Sequence, residues 1–109
     1  MEPDRLRFYP NYGQVYQLLL RTRKKDKTED VNVGKGVYVG VRNIRSIYGG
    51  KFYVFLFRDN GNLLVYDAPF VHKFNDSKDN LSLSLGTRRV KIPEKEKDLA
   101  DKILKMRGL

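Results

Sequence analysis

The stretch GGKFYVFLFRDNG, residues 49–61, decides how this chain is read. An unbroken apolar run from Phe52 to Phe57 follows one lysine and closes on a turn signal. The run is short, rich in aromatic and β-branched residues, and bounded by glycines, which is the pattern of a strand. Alternation places Phe52, Val54 and Leu56 on one face and Lys51, Tyr53, Phe55 and Phe57 on the other. Two readings follow. Either both faces are buried, or the second is a basic-aromatic platform on which bases stack.

The neighbouring segments extend the strand into a meander. VYVGVR, residues 37–42, puts Val37, Val39 and Val41 on one face and Tyr38, Gly40 and Arg42 on the other. NLLVYD, residues 62–67, is the next strand. IYGGK and RDNGN join the three, and Asn60-Gly61 is the strongest short hairpin signal a sequence offers. LSLSL and RRVKI alternate as well, and predict one bent strand or a hairpin through Gly86-Thr87. Residues 15–23, VYQLLLRTR, read better as a strand than as a helix, since Gly13 and Thr22 weaken a helix. Residues 21–36 then form a long charged loop, of a length usually tied to function. LRF, within residues 1–10, adds a strand or stays an arm.

Past Pro93 the pattern changes to helical. Leu99, Ala100, Ile103 and Leu104 recur at helical spacing. Acidic residues start the segment, basic residues end it, and Gly108 follows. The spacing predicts a helix over about 94–107. One domain of 109 residues follows, with an arm at 1–10, a β-barrel at 11–92 and the helix at 93–109. The fold class is mainly β, α+β by content: a five-stranded antiparallel barrel with a C-terminal helix. At the level of pattern the layout resembles small OB- and SH3-like barrels. KFYVFLFR also matches the RNP1 motif of RNA-recognition motifs in type at Lys51, Tyr53 and Phe55. It departs at Phe52, Val54 and Arg58, and no helix fits between residues 37 and 67, so no function is drawn from it.

The formal net charge of +9 draws polyanions at long range. Nucleic acid is the commonest such partner, and single-stranded DNA is favoured over RNA and duplex. Tyr38 and Tyr53 are the stacking candidates. Arg42, Arg45 and Lys51 would meet phosphates beside them. Arg21, Arg23, Lys24 and Lys25 would clamp a backbone from the charged loop, and Arg89 and Lys91 share a further face. Two alternatives use the same charge: a small viral- or phage-type regulator bound to an acidic protein, or a duplex-binding chromatin-type barrel. Residues 82–91 could pair edge to edge in a homodimer.

Catalysis is not expected. There is no cysteine, one histidine (His72), and no Walker A motif or nucleophile elbow. Lys78 between Asp76 and Asp79 opposes a divalent ion, and a nuclease would need carboxylates from distant strands, such as Asp59 and Asp67. No metal or cofactor is expected. The charged N-terminus and the lack of a long apolar run predict an intracellular protein without a membrane segment.

Overall fold

The computed structural model describes residues 5–43, 50–75 and 77–109. Eight strands form one open sheet: β1 (Arg5–Arg7), β2 (Val15–Lys24), β3 (Lys27–Asn43), β4 (Lys51–Asp59), β5 (Asn62–Ala68), β6 (Val71–Phe74), β7 (Asn80–Leu83) and β8 (Arg88–Lys91). Their order across the sheet is β1-β6-β7-β2-β3-β4-β5-β8. A 3₁₀ turn, Glu94–Glu96, leads into the helix α1 (Lys97–Met106), where the spacing predicts it.

The β3-β4-β5 meander forms as the sequence predicts, except that the β3-β4 pairing slips between Tyr38 and Val41: Tyr38 stands opposite Phe55 on the core face, and Arg42 stands opposite Phe52 on the other, so the two do not share a face. Most of the expected IYGGK turn lies outside the described residues. Asp59 pairs with Asn62 across Asn60-Gly61, and both turn residues have positive φ, 52° and 85°. That is the geometry a two-residue hairpin demands. Three expectations need correction. The sheet is open and has eight strands, rather than a five-stranded barrel. β7 and β8 do not form a hairpin: β7 lies between β6 and β2, and β8 pairs with β5 at the far edge. The charged segment after Thr22 is not a loop but continuous strand on both sides of a two-residue turn. Because β7 is interior, only Arg88–Lys91 of the segment 82–91 lies at a sheet edge.

The sheet is strongly curled, and the covalent chain requires it. β5 and β6 stand five places apart, about 24 Å in a flat sheet. Only Pro69 and Phe70 join them, a link of at most about 11 Å. The link also bonds to the end of β7: Ser84 N–H donates to the Phe70 carbonyl, and Phe70 N–H to Ser84 Oγ, both at 3.2 Å.

Curling gives the sheet an inner and an outer face. Inside lie Tyr16, Leu18, Tyr38, Tyr53, Phe55, Phe57, Tyr66, Leu81 and Leu83, among others. Outside, Val37, Val54, Leu56, Val65 and Ile92 pack under Ala100 and Leu104 of α1. β4 is therefore buried on both sides from Phe52 to Phe57. Arg58 fixes the far end of α1. Its Nε donates to the Leu109 carbonyl at 2.8 Å, and its Nη2 donates to Asp101. Hydrogen bonds from Arg58 and Lys105 hold the Asp101 carboxyl below its usual pKa.

Candidate nucleic-acid interface

The two aromatic residues expected to stack on bases are in the core. Tyr38 is 7% exposed and Tyr53 is 5% exposed. The Tyr38 ring lies 5.3 Å from that of Phe55 and 6.4 Å from that of Tyr53. The curl explains the burial, because it folds β2, β6 and β7 over the face these rings share. Burial first, then the phenols of Tyr53 and Tyr16, push the Tyr38 hydroxyl above its usual pKa. No base can reach either ring without opening the inner core, so neither belongs to a surface platform.

The basic segment 21–27 has a defined shape. β7 flanks β2 only as far as Leu20, and β4 flanks β3 only from Gly36 onward. Among the described residues Arg21–Lys24 and Lys27–Asp30 therefore pair only with each other and form a two-stranded ribbon beyond the sheet. Its length is about 13 Å. Arg21 stands opposite Asp30, and β-branched threonines stand opposite long charged side chains, Thr22 against Glu29 and Thr28 against Arg23, while the like-charged Lys24 and Lys27 close the turn. The first of these pairs favours pairing over a loop. At its base Arg21 donates to both carboxylate oxygens of Asp30, at 3.3 and 3.1 Å. Buried Ser82 of β7 donates to Asp30 at 2.9 Å and anchors the ribbon to the sheet. Arg21 is thus a structural member. Arg23, Lys24, Lys25 and Lys27 are exposed at the tip.

Lys25 sits in the turn at φ 54°, a backbone region that costs a side chain energy. Lys25→Gly is expected to stabilise the fold by up to about 1 kcal/mol. If the tip meets phosphates, the same change lowers the salt dependence of nucleic-acid binding by about one ion. Chemical denaturation and a salt titration read the two effects separately. An unchanged salt slope would remove Lys25 from the interface.

A second basic cluster lies at the opposite end of β3. Arg42 and Arg88 flank Asp67, with Arg42 Nε 3.7 Å from Oδ1 and Arg88 Nη2 3.2 Å from Oδ2. The Arg88 guanidinium lies 5.7 Å from the centre of the Phe52 ring. Lys51 is exposed at this end of the sheet, and Arg45 lies outside the described residues. Arg89 and Lys91 are on the other face of β8. Arg89 is paired with Asp59 and lies over Phe57, whereas Lys91 is exposed. Sequence reasoning chose Arg89 and Lys91 and missed Arg88. The signal was present, since alternation puts Arg88 with Val90, and Asp67 with Val65, on faces that one sheet can join.

The carboxylates considered for chemistry are apart. Asp59 and Asp67 sit at opposite ends of the β4-β5 hairpin, each engaged by arginine. Asp76 lies outside the described residues. His72 stands on β6 opposite Ser82. Among the described residues no three His, Asp or Glu side chains converge, and no helix is long and apolar enough to cross a membrane. No protein-family model, curated protein or solved structure matches this chain.

Proposed function

We propose that this chain is a non-enzymatic nucleic-acid-binding protein that grips the phosphate backbone with the β2-β3 ribbon. The carrying observation is the ribbon itself: two strands with no flanking strand among the described residues, tipped by Arg23, Lys24, Lys25 and Lys27. A two-stranded ribbon fits the major groove of a duplex, about 12 Å wide. Lysine and arginine contacts to phosphate position a protein but carry little sequence information. The preference for single strands rested on Tyr38 and Tyr53. With both in the core, duplex is the better-supported form of the same partner, and an intracellular location goes with it.

Anisotropy with labelled duplex and single-stranded oligonucleotides across a salt series tests this. Four phosphate contacts give a log-log slope of about −3.6 on duplex. Duplex is expected to bind more tightly than the single strand. Binding that is undetectable at about 50 mM salt, or flat across the series, overturns the reading.

One observation favours the acidic-protein alternative. Beside α1 an apolar groove of about 400 Å³ is lined by Tyr12, Val39, Val41, Leu99 and Ile103, with Arg42 and Glu96 also in its lining. Tyr12 and Leu99 are 72% and 63% exposed. Exposed apolar patches commonly mark protein contacts. This reading predicts no saturable oligonucleotide binding in the same titration, and a slope near that for four ions removes it.

A further inference from the structure

We propose that Arg42 and Arg88 form a second, separate binding site for a phosphoryl group, with the buried carboxylate of Asp67 as its positioning residue. Assigning that phosphate to nucleic acid rests on the function proposed above. The site itself does not.

Asp67 is 0% exposed, and the two arginines reach it from different strands, β3 and β8. A carboxylate buried this fully is costly unless paired, and an apolar residue would often serve stability as well. The cluster is also overcharged for a purely structural ion pair: two guanidiniums face one carboxylate, leaving one net positive charge. That charge is open to solvent, since the arginine side chains are 44% and 53% exposed.

The geometry leaves donors for a ligand. A guanidinium has five N–H donors. Arg88 uses Nη2 on Asp67 and rests against the Phe52 ring, which restrains its plane. Asp67 Oδ1 accepts no hydrogen bond, and Arg42 Nε, at 3.7 Å, is its ion-pair partner but too far to donate. Arg42 is therefore held in place electrostatically while its donors stay uncommitted among the described residues. Two restrained guanidiniums with uncommitted donors suit the tetrahedral oxygens of a phosphate. Tip and cluster lie at opposite ends of β3, so one long ligand could touch both.

The test is a titration of the full ¹⁵N-labelled chain with inorganic phosphate at constant ionic strength. The Nε–Hε signals of Arg42 and Arg88 are followed, assigned through Arg42→Lys and Arg88→Lys. Saturable shifts at both support the site. Linear drift shared by all arginines overturns it. Asp67→Asn then separates positioning from charge. It adds one net positive charge, so a merely electrostatic patch binds phosphate more tightly. A positioning role predicts about tenfold weaker binding, the loss of one charge-assisted contact, and tighter binding overturns the proposal. If Asp67→Asn does not fold, Arg88→Lys keeps the charge and loses the fork. It is expected to weaken phosphate binding about tenfold, and unchanged affinity overturns the site.

The source of the phosphate is read with the duplex oligonucleotide. If Arg88→Lys weakens both phosphate and duplex, the ligand is the nucleic-acid backbone. If it weakens phosphate alone, the site stands for a free phosphate compound and its assignment to nucleic acid falls. Loss of duplex binding in ribbon variants, with phosphate binding intact, shows the two sites to be independent.

Discussion

Phe55→Ala is expected to lower the stability of the fold by about 3–5 kcal/mol. Phe55 is fully buried at the middle of β4, with its ring against those of Tyr16 and Tyr38. Truncation removes the transfer energy of the ring and leaves a cavity. The surroundings cannot close it easily, because β3 and β5 hold the backbone from both sides and the outer cluster packs behind it. Against a total of about 5–15 kcal/mol for a domain, that loss leaves little margin. Urea denaturation measures it directly. A cost below about 1 kcal/mol would mean that the inner core is loosely packed and that the curl is not held by these rings. Tyr38→Ala belongs with Phe55→Ala. It is expected to cost stability while leaving the affinity of the folded fraction unchanged.

The second large effect concerns binding. Replacing Arg23, Lys24, Lys25 and Lys27 together by alanine is expected to weaken duplex binding about 10²–10³-fold near 150 mM salt. Each phosphate contact contributes about 0.9 to the log-log slope, worth about fivefold at that concentration, and four multiply. Their exposure makes the effect on stability small, and removing like charges that face each other, such as Lys24 and Lys27, favours the ribbon. The quadruple variant should therefore melt no lower than the parent. A slope still near the parental value would place the main contact elsewhere, with the Arg42-Arg88 cluster next in line.

Much of the fold follows from local chemistry that the sequence states openly. The alternation in residues 37–67, the Asn60-Gly61 turn and the helical spacing after Pro93 each specify an element without reference to the rest. The strands β6 and β1 are harder to read. Four residues or fewer, they carry too little pattern, and their place comes from pairing, β6 with β7 and β1 with β6. In the sequence the ribbon resembles a loop because its residues are charged, and charge in a single strand resembles solvation. Only the partner strand, with Asp30 against Arg21, makes those charges a pairing pattern.

By itself the sequence determined that the chain is mainly β with a C-terminal helix, and that it is strongly basic. It also determined that Phe52 to Phe57 form a strand. Whether the second face of that strand meets solvent or core was a tertiary question. The two-residue link between β5 and β6 decided it, since so short a link forces the sheet to curl, and the curl encloses Tyr38, Tyr53, Phe55 and Phe57. The same tertiary pairing brought Arg88 to Arg42 around Asp67, across 46 positions between the two arginines. Periodicity reports which residues share a face of one strand as long as no irregularity intervenes, as one does in β3 between Tyr38 and Val41. Which faces then come together depends on strand order, and strand order is set by contacts distant in the chain.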